Sequence, residues 1–146
     1  MGAHLGTCLP PSVCAGRSME TIRAMHAADR NASAWLPFSA NTPVSKIDPE
    51  KEYFCTRTWG TMWCSSAPQF ASYLGSIERD LASLPEGHLV GSTKAIQFGV
   101  QHFIGETITV WHERAHMASF YVSGTHRDAM KAMASKVVFI AHRFWV

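Results

Sequence analysis

The order of hydrophobic periodicities between residues 51 and 146 constrains the fold more than any other feature of the sequence. Its central element is an amphipathic helix that begins at Ser66, which can cap it, with Pro68 in the first turn, where no backbone N–H is needed. Pro85 and Gly87 end this helix. Its apolar stripe, spaced by three or four positions, consists of Phe70, Tyr73, Leu74, Ile77, Leu81 and Leu84.

Strand patterns stand on both sides of this helix. Tyr53–Met62 is rich in aromatic residues and threonine, a composition typical of a β-strand. Thr93–Phe103 and Glu106–Trp111 each alternate apolar and polar residues, which predicts two further strands. The pair Ile104-Gly105 between them predicts the turn of a β-hairpin.

The last third of the chain predicts a second helical region and a final strand. The helical region begins near Glu113, breaks near Ser123-Gly124 and then resumes. Val137–Trp145 is apolar almost throughout, which predicts a strand inside a sheet. The predicted order β-α-β-β-α-β indicates an α+β chain with a ferredoxin-like antiparallel sheet and both helices on one face.

Two helices shield only one face of such a sheet, so the other face must be covered. We expect a second copy of the chain to pack sheet against sheet as a homodimer, closing an α+β barrel; an N-terminal arm over that face is the alternative. Residues 1–50 contain five of the seven prolines and predict an irregular extension with a short helix over Met19–Ala28. The domain boundary is therefore predicted at residue 50, with the ferredoxin-like domain over 51–146.

Composition excludes several classes of function. The chain is 47% hydrophobic and 16% charged, with a net charge of +2 and no run of Lys or Arg, so we expect no nucleic-acid partner. No segment approaches 18 consecutive apolar residues, so we expect no membrane span. We expect a cytoplasmic location, with an organelle as the alternative, since the arm has the Arg/Ala/Ser composition of targeting peptides.

His112-Glu113-Arg114-Ala115-His116 matches the H-E-x-x-H motif of zinc hydrolases. That motif works inside a helix, where residues four apart share a face and bind one ion. Here a strand pattern runs up to Trp111, and no Glu follows position 116 to serve as third ligand. We therefore expect no metal site, with His112 and His116 as the ligands if one exists.

A longer run carries a resemblance to a known family. Thr107–Trp111 ends in Trp, a helix follows with Met117 and Phe120, and after a Ser-Gly break His126 precedes Ala129-Met130. Over residues 51–146 this pattern resembles the antibiotic-biosynthesis-monooxygenase-like group of the dimeric α+β barrel superfamily. The resemblance implies a pocket for a small apolar or aromatic molecule, used by oxygenases or cyclases that need no organic cofactor.

The sequence offers several polar and aromatic residues for such a pocket. The expected catalytic residues, as acids or bases, are His112, His116 and His126. The expected substrate-binding residues are Arg57, Trp59, Trp111, Tyr121 and His142.

These residues are compatible with three alternative functions. The first is a small-molecule enzyme of the monooxygenase or cyclase kind, with His as acid or base. The second is a non-catalytic ligand-binding or assembly subunit. The third is a metal- or haem-dependent enzyme that uses His112 and His116; we expect no cofactor, with haem or zinc as the alternatives.

Overall fold

A computed structural model of the chain describes residues 36–98 and 102–146. The strands of this part are β1 (Ser39–Ala40), β2 (Phe54–Trp63), β3 (Leu89–Phe98), β4 (His102–Trp111) and β5 (Val137–Trp145). The α-helices are α1 (Ala67–Ala82), α2 (Arg114–Tyr121) and α3 (Gly124–Met133), and short 3-10 helices occupy Val44–Lys46 and Cys64–Ser66.

The strands form one antiparallel sheet in the order β1-β3-β4-β2-β5. The arrangement β3-β4-β2-β5 is the ferredoxin-like order, so the predicted fold class is confirmed. β1 extends the sheet at the β3 edge, where Ser39 pairs with Ser92 and Ala40 with Gly91. Gly91 allows this approach, because a Cβ there would lie 2.6 Å from the carbonyl oxygen of Ser39.

The segment before the sheet is described in part. Residues 36–50 contain β1 and a 3-10 helix. The helix predicted over Met19–Ala28 lies outside the described residues. The domain boundary at residue 50 and the homodimer both stay predictions.

The predicted position of the hairpin turn is wrong. Ile104 and Gly105 lie inside β4, opposite Gln97 and Ile96 of β3, and residues 99–101 between the two strands lie outside the described residues. In the sequence Gly105 is typical of a turn, but in the structure a glycine is needed at this position because a side chain from α1 packs against it. A Cβ on Gly105 would lie 2.9 Å from Cζ of Phe70.

The helices follow the predicted pattern with one difference at the start of α1. Ser66 is buried in the 3-10 helix that leads into α1, and its side chain makes no capping hydrogen bond. Gly87, at φ 85°, forms the turn between α1 and β3, a conformation that favours glycine. The second helical region breaks as predicted, with α2 ending at Tyr121 and α3 beginning at Gly124.

Two apolar clusters hold the helices on the sheet, one near each end of the strands. The first cluster consists of Phe54, Leu81, Leu89, Trp111, Met117 and Phe120. The second consists of Met62, Phe103, Met133 and Val137. Since side chains two apart on a strand share a face, the helix-facing positions of β2 and β4 between these clusters are small residues. In cross-strand register they are Thr56 and Thr109, Thr58 and Thr107, and Gly60 and Gly105.

Among the described residues, no helix has both the length and the apolar character needed to cross a bilayer. The expected location stays a prediction.

Candidate functional site

A cavity lies between the helices and the middle of the sheet, where the small residues leave space. It has two chambers. The β3-side chamber, of about 290 Å³, is bounded by residues of α1, β1 and β3, among them Lys94 and Glu78. The β5-side chamber, of about 250 Å³, has Gly60 and Gly105 in its floor and Arg143 at its wall. Each chamber is close to the lower limit of small-molecule sites, roughly 300–1,000 Å³, and the two share part of their lining.

The two chambers meet at a shared wall. The residues that line both are Leu74, Ile77, Thr107, Tyr121 and His126. Three of these five carry polar groups, whereas the β5-side chamber is otherwise mostly apolar. The junction is therefore the place where polar chemistry can act on an apolar molecule.

His126 is the titratable group of this junction. It lies in the first turn of α3, and its ring packs against Tyr121, with 4.3 Å between the ring centroids. Its Nδ1 lies 3.2 Å from the carbonyl oxygen of Tyr121. Because a carbonyl can only accept, Nδ1 carries the hydrogen, and in the neutral ring Nε2 is the basic nitrogen.

The surroundings of His126 favour this neutral form. Burial lowers the pKa of His126, and the hydrogen bond to the Tyr121 carbonyl opposes that shift in part. At neutral pH the ring is therefore a free base with a fixed tautomer. That is the state a general base must have before it accepts a proton.

Tyr121 contributes a hydroxyl beside this base. The break between α2 and α3 places Tyr121 at the end of one helix and His126 at the start of the next. The Tyr121 hydroxyl lies 3.4 Å from Oγ1 of Thr58, which stands on the sheet floor. A hydroxyl at this place can donate a hydrogen bond to an oxygen of a bound molecule.

His112 and His116 line neither chamber: His112 directly follows β4, and His116 lies in α2. Nε2 of His112 is 2.9 Å from Oγ1 of Thr42, and burial, the largest cause, lowers the pKa of His112. The ring of His116 stacks on His88 with 3.9 Å between the centroids. The catalytic roles predicted for His112 and His116 stay predictions.

The H-E-x-x-H motif spans a strand-to-helix junction. Trp111 ends β4, Glu113 occupies the N-cap position, and α2 begins at Arg114. His112 is therefore outside the helix that carries His116. Within residues 36–98 and 102–146, no three His, Cys, Asp or Glu side chains come together as a metal site would require.

Three of the predicted substrate residues lie on the sheet face opposite the helices. Nε of Arg57 is 2.5 Å from Oε1 of Glu106, whose side chain is only 3% exposed. Arg57 also lies over the ring of Trp59, and Trp59 packs against His142 at 5.0 Å between centroids. Their predicted contact with a substrate stays a prediction, and the carboxylate partner that a mid-strand arginine needs is Glu106.

Trp111 takes part in the core and has no exposed surface. Its indole N–H donates to Oγ1 of Thr109 at 2.8 Å. Of the eight residues expected in the site, the structure thus brings Tyr121 and His126 together in the cavity. Thr58, Thr107 and Arg143 also line the cavity without having been predicted, although the small residues at alternate positions of β2 and β4 were a usable signal.

Comparison with solved structures identifies the fold. The sequence matches no family model and no curated protein. A putative monooxygenase from Fusobacterium nucleatum superimposes with a TM-score of 0.58 at 9% identity, over 76% of this chain and 48% of that one. The chain thus spans about half the length of that protein.

Two further solved structures superimpose on the chain to a similar extent. A conserved protein of unknown function from Bacteroides thetaiotaomicron gives a TM-score of 0.54 at 6% identity, covering 66% of this chain and 99% of the other. An anthrone oxidase-like protein gives 0.52 at 11% identity, covering 88% and 66%. The chain has the fold of the monooxygenase-like proteins. The resemblance found in the sequence is confirmed as a likeness of fold, and identities this low show no more than that.

Proposed function

We propose that the chain is a small-molecule enzyme of the monooxygenase kind, which binds an apolar or aromatic substrate in the cavity and uses His126 as base. One observation carries this proposal: a half-buried imidazole with its Nδ1 hydrogen bonded to a backbone carbonyl stands at the junction of two chambers. The likeness of fold to monooxygenase-like proteins supports the proposal.

The proposed reaction needs dioxygen and a substrate with an activated C–H bond. Nε2 of His126 takes a proton from that carbon, and the resulting carbanion gives its electrons to dioxygen. The hydroperoxide that forms between this carbon and oxygen then loses water and leaves a carbonyl. In sum, one CH₂ group and one O₂ give one C=O group and one H₂O.

The remaining residues of the junction fit this scheme. Tyr121 would donate its hydroxyl to a substrate oxygen that gains negative charge as the proton leaves, which stabilises the anion. The apolar walls would favour a flat aromatic body. No metal or organic cofactor is part of the proposed step.

Anthrone is a suitable probe, because its central CH₂ is acidified by the carbonyl and the flanking rings, and oxidation gives anthraquinone and water. We expect oxygen uptake with anthraquinone formation by the wild-type chain. His126→Gln should lower kcat/KM by about 10²- to 10⁴-fold, the usual contribution of a general base. In the wild type, kcat/KM should rise with pH through a pKa below the ordinary histidine value of about 6.5, since burial lowers the pKa of His126.

The matched control is His88→Gln, which removes a histidine outside the cavity. It should keep wild-type activity, and circular dichroism should show that both variants fold. Full activity of His126→Gln would refute the proposal. Tight binding of anthrone without any turnover would instead favour the non-catalytic ligand-binding alternative.

A further inference from the structure

Arg143 is a cation in the wall of the β5-side chamber. It stands on β5 opposite Thr56 of β2, in the row of side chains that faces the helices. Its guanidinium carbon lies 5.8 Å from the centroid of the Tyr121 ring, on which it rests as a cation–π contact. No pattern in the sequence singles out Arg143.

Among the described residues, the other two Lys or Arg residues on strands have carboxylate partners. Lys94, in the β3-side chamber, pairs with Glu78, and Arg57 on the opposite face pairs with Glu106. In the part of the chain that the structure describes, Arg143 makes no ion pair, and no acidic residue lines its chamber. The β5-side chamber thus combines apolar walls with one positive charge that no carboxylate of the described residues neutralises.

We propose that the β5-side chamber binds an aromatic carboxylate, with the carboxylate held by Arg143 and the ring system extending to the His126–Tyr121 junction. This inference rests on the proposed function and names the substrate class. The planar guanidinium suits a carboxylate because two parallel N–H groups match its two oxygens. The apolar lining accepts the rings.

The spacing limits the size of such a ligand. The Tyr121 ring centroid is 5.8 Å from the Arg143 guanidinium carbon and 4.3 Å from the His126 ring centroid, so the two groups lie at most about 10 Å apart. A fused two-ring or three-ring acid spans that gap. Its carboxylate then stays beside Arg143, and the reactive carbon at the far end of the ring system reaches the base.

The test compares 2-naphthoate with 2-naphthamide, a neutral analogue of the same shape, by titration calorimetry at neutral pH. Because Arg143 is exposed and water screens its charge, we expect wild-type protein to bind the acid about five- to tenfold more tightly than the amide. Arg143→Gln should abolish this preference and leave amide binding unchanged. Arg143→Lys should keep part of the preference for the acid, since it retains the positive charge but loses the two parallel N–H groups.

Lys131→Gln is the matched control, because Lys131 is an exposed cation on α3 outside both chambers. It should keep the full preference for the acid. Equal affinity of wild-type protein for acid and amide, or an equal loss in Lys131→Gln and Arg143→Gln, would overturn this inference alone. If neither probe binds, the cavity is not a ligand site, and the proposed function fails with this inference. If the acid is preferred but anthrone causes no oxygen uptake, only the proposed enzymatic activity is refuted.

Discussion

Replacing Trp111 by alanine tests whether this residue belongs to the core or to the substrate site. Trp111 has no exposed surface and packs beside Phe120, with 5.5 Å between the ring centroids. Truncating a buried Trp to Ala costs about 3–5 kcal/mol, and we expect the upper end because the side chain is completely enclosed. Thr109 also loses its hydrogen-bond donor, which adds about 1 kcal/mol.

The expected loss, about 5 kcal/mol from truncation and about 1 kcal/mol from the hydrogen bond, is about 6 kcal/mol, which exceeds the whole stability of the least stable small domains, about 5 kcal/mol. Urea unfolding followed by circular dichroism measures it. Trp111→Phe, which keeps one ring and loses the N–H, should cost about 2 kcal/mol and stays measurable if the alanine variant does not fold. Trp145→Ala is the control, because Trp145 is 51% exposed and loses mainly an edge contact with Phe54, so the change should cost about 1 kcal/mol.

One result would refute this reasoning. If Trp111→Phe and Trp111→Ala were no less stable than Trp145→Ala, the indole would not be enclosed by the core. If the Trp111 variants also lost binding of an aromatic ligand, Trp111 would be a substrate-binding residue.

Two further predictions concern stability. Arg57→Met leaves the buried Glu106 carboxylate without this partner and should lower the free energy of unfolding in urea by about 3 kcal/mol. The control Arg127→Gln, which removes a cation from an exposed ion pair, should cost far less. An equal cost for the two variants would contradict the Arg57–Glu106 ion pair. Burial is the largest cause that lowers the pKa of both His126 and His112, so the unfolded chain binds protons more readily. The stability that these two neutral histidines contribute is fully present above about pH 6.5 and is lost as the pH falls through their lowered pKa values. The urea midpoint of unfolding should therefore drop between about pH 7 and 5, and it should drop less in His126→Gln. A midpoint that rises over this range would contradict the prediction.

Much of the fold followed from local patterns. The stripe from Phe70 to Leu84 predicts α1, and the apolar run Val137–Trp145 is β5 as expected. The hairpin turn was misplaced because Gly105 was taken as a turn glycine. In the sheet it is the residue over which Phe70 packs, a contact between α1 and β4 that no local pattern can show.

The candidate site was predictable only in part. His126 and Tyr121 were both predicted for the pocket, and in the structure the Ser123-Gly124 break places them together at the ends of two helices. His112 and His116, predicted for the same pocket, lie instead beside Thr42 and His88, outside the cavity. Arg143 was missed because its chamber forms only when β5 lies beside β2 under α3.

The sequence by itself determined the periodicity and order of helices and strands, since each depends on side chains a few positions apart. Tertiary structure alone decided which face each residue of β2, β4 and β5 presents and which residues meet across the sheet. Phe54, Thr58, Gly60 and Met62 form one row on β2, yet only their cross-strand partners and the helices above make the ends a packed core and the middle a cavity. A cavity is a property of residues far apart in the chain, so no local reading of the sequence contains it.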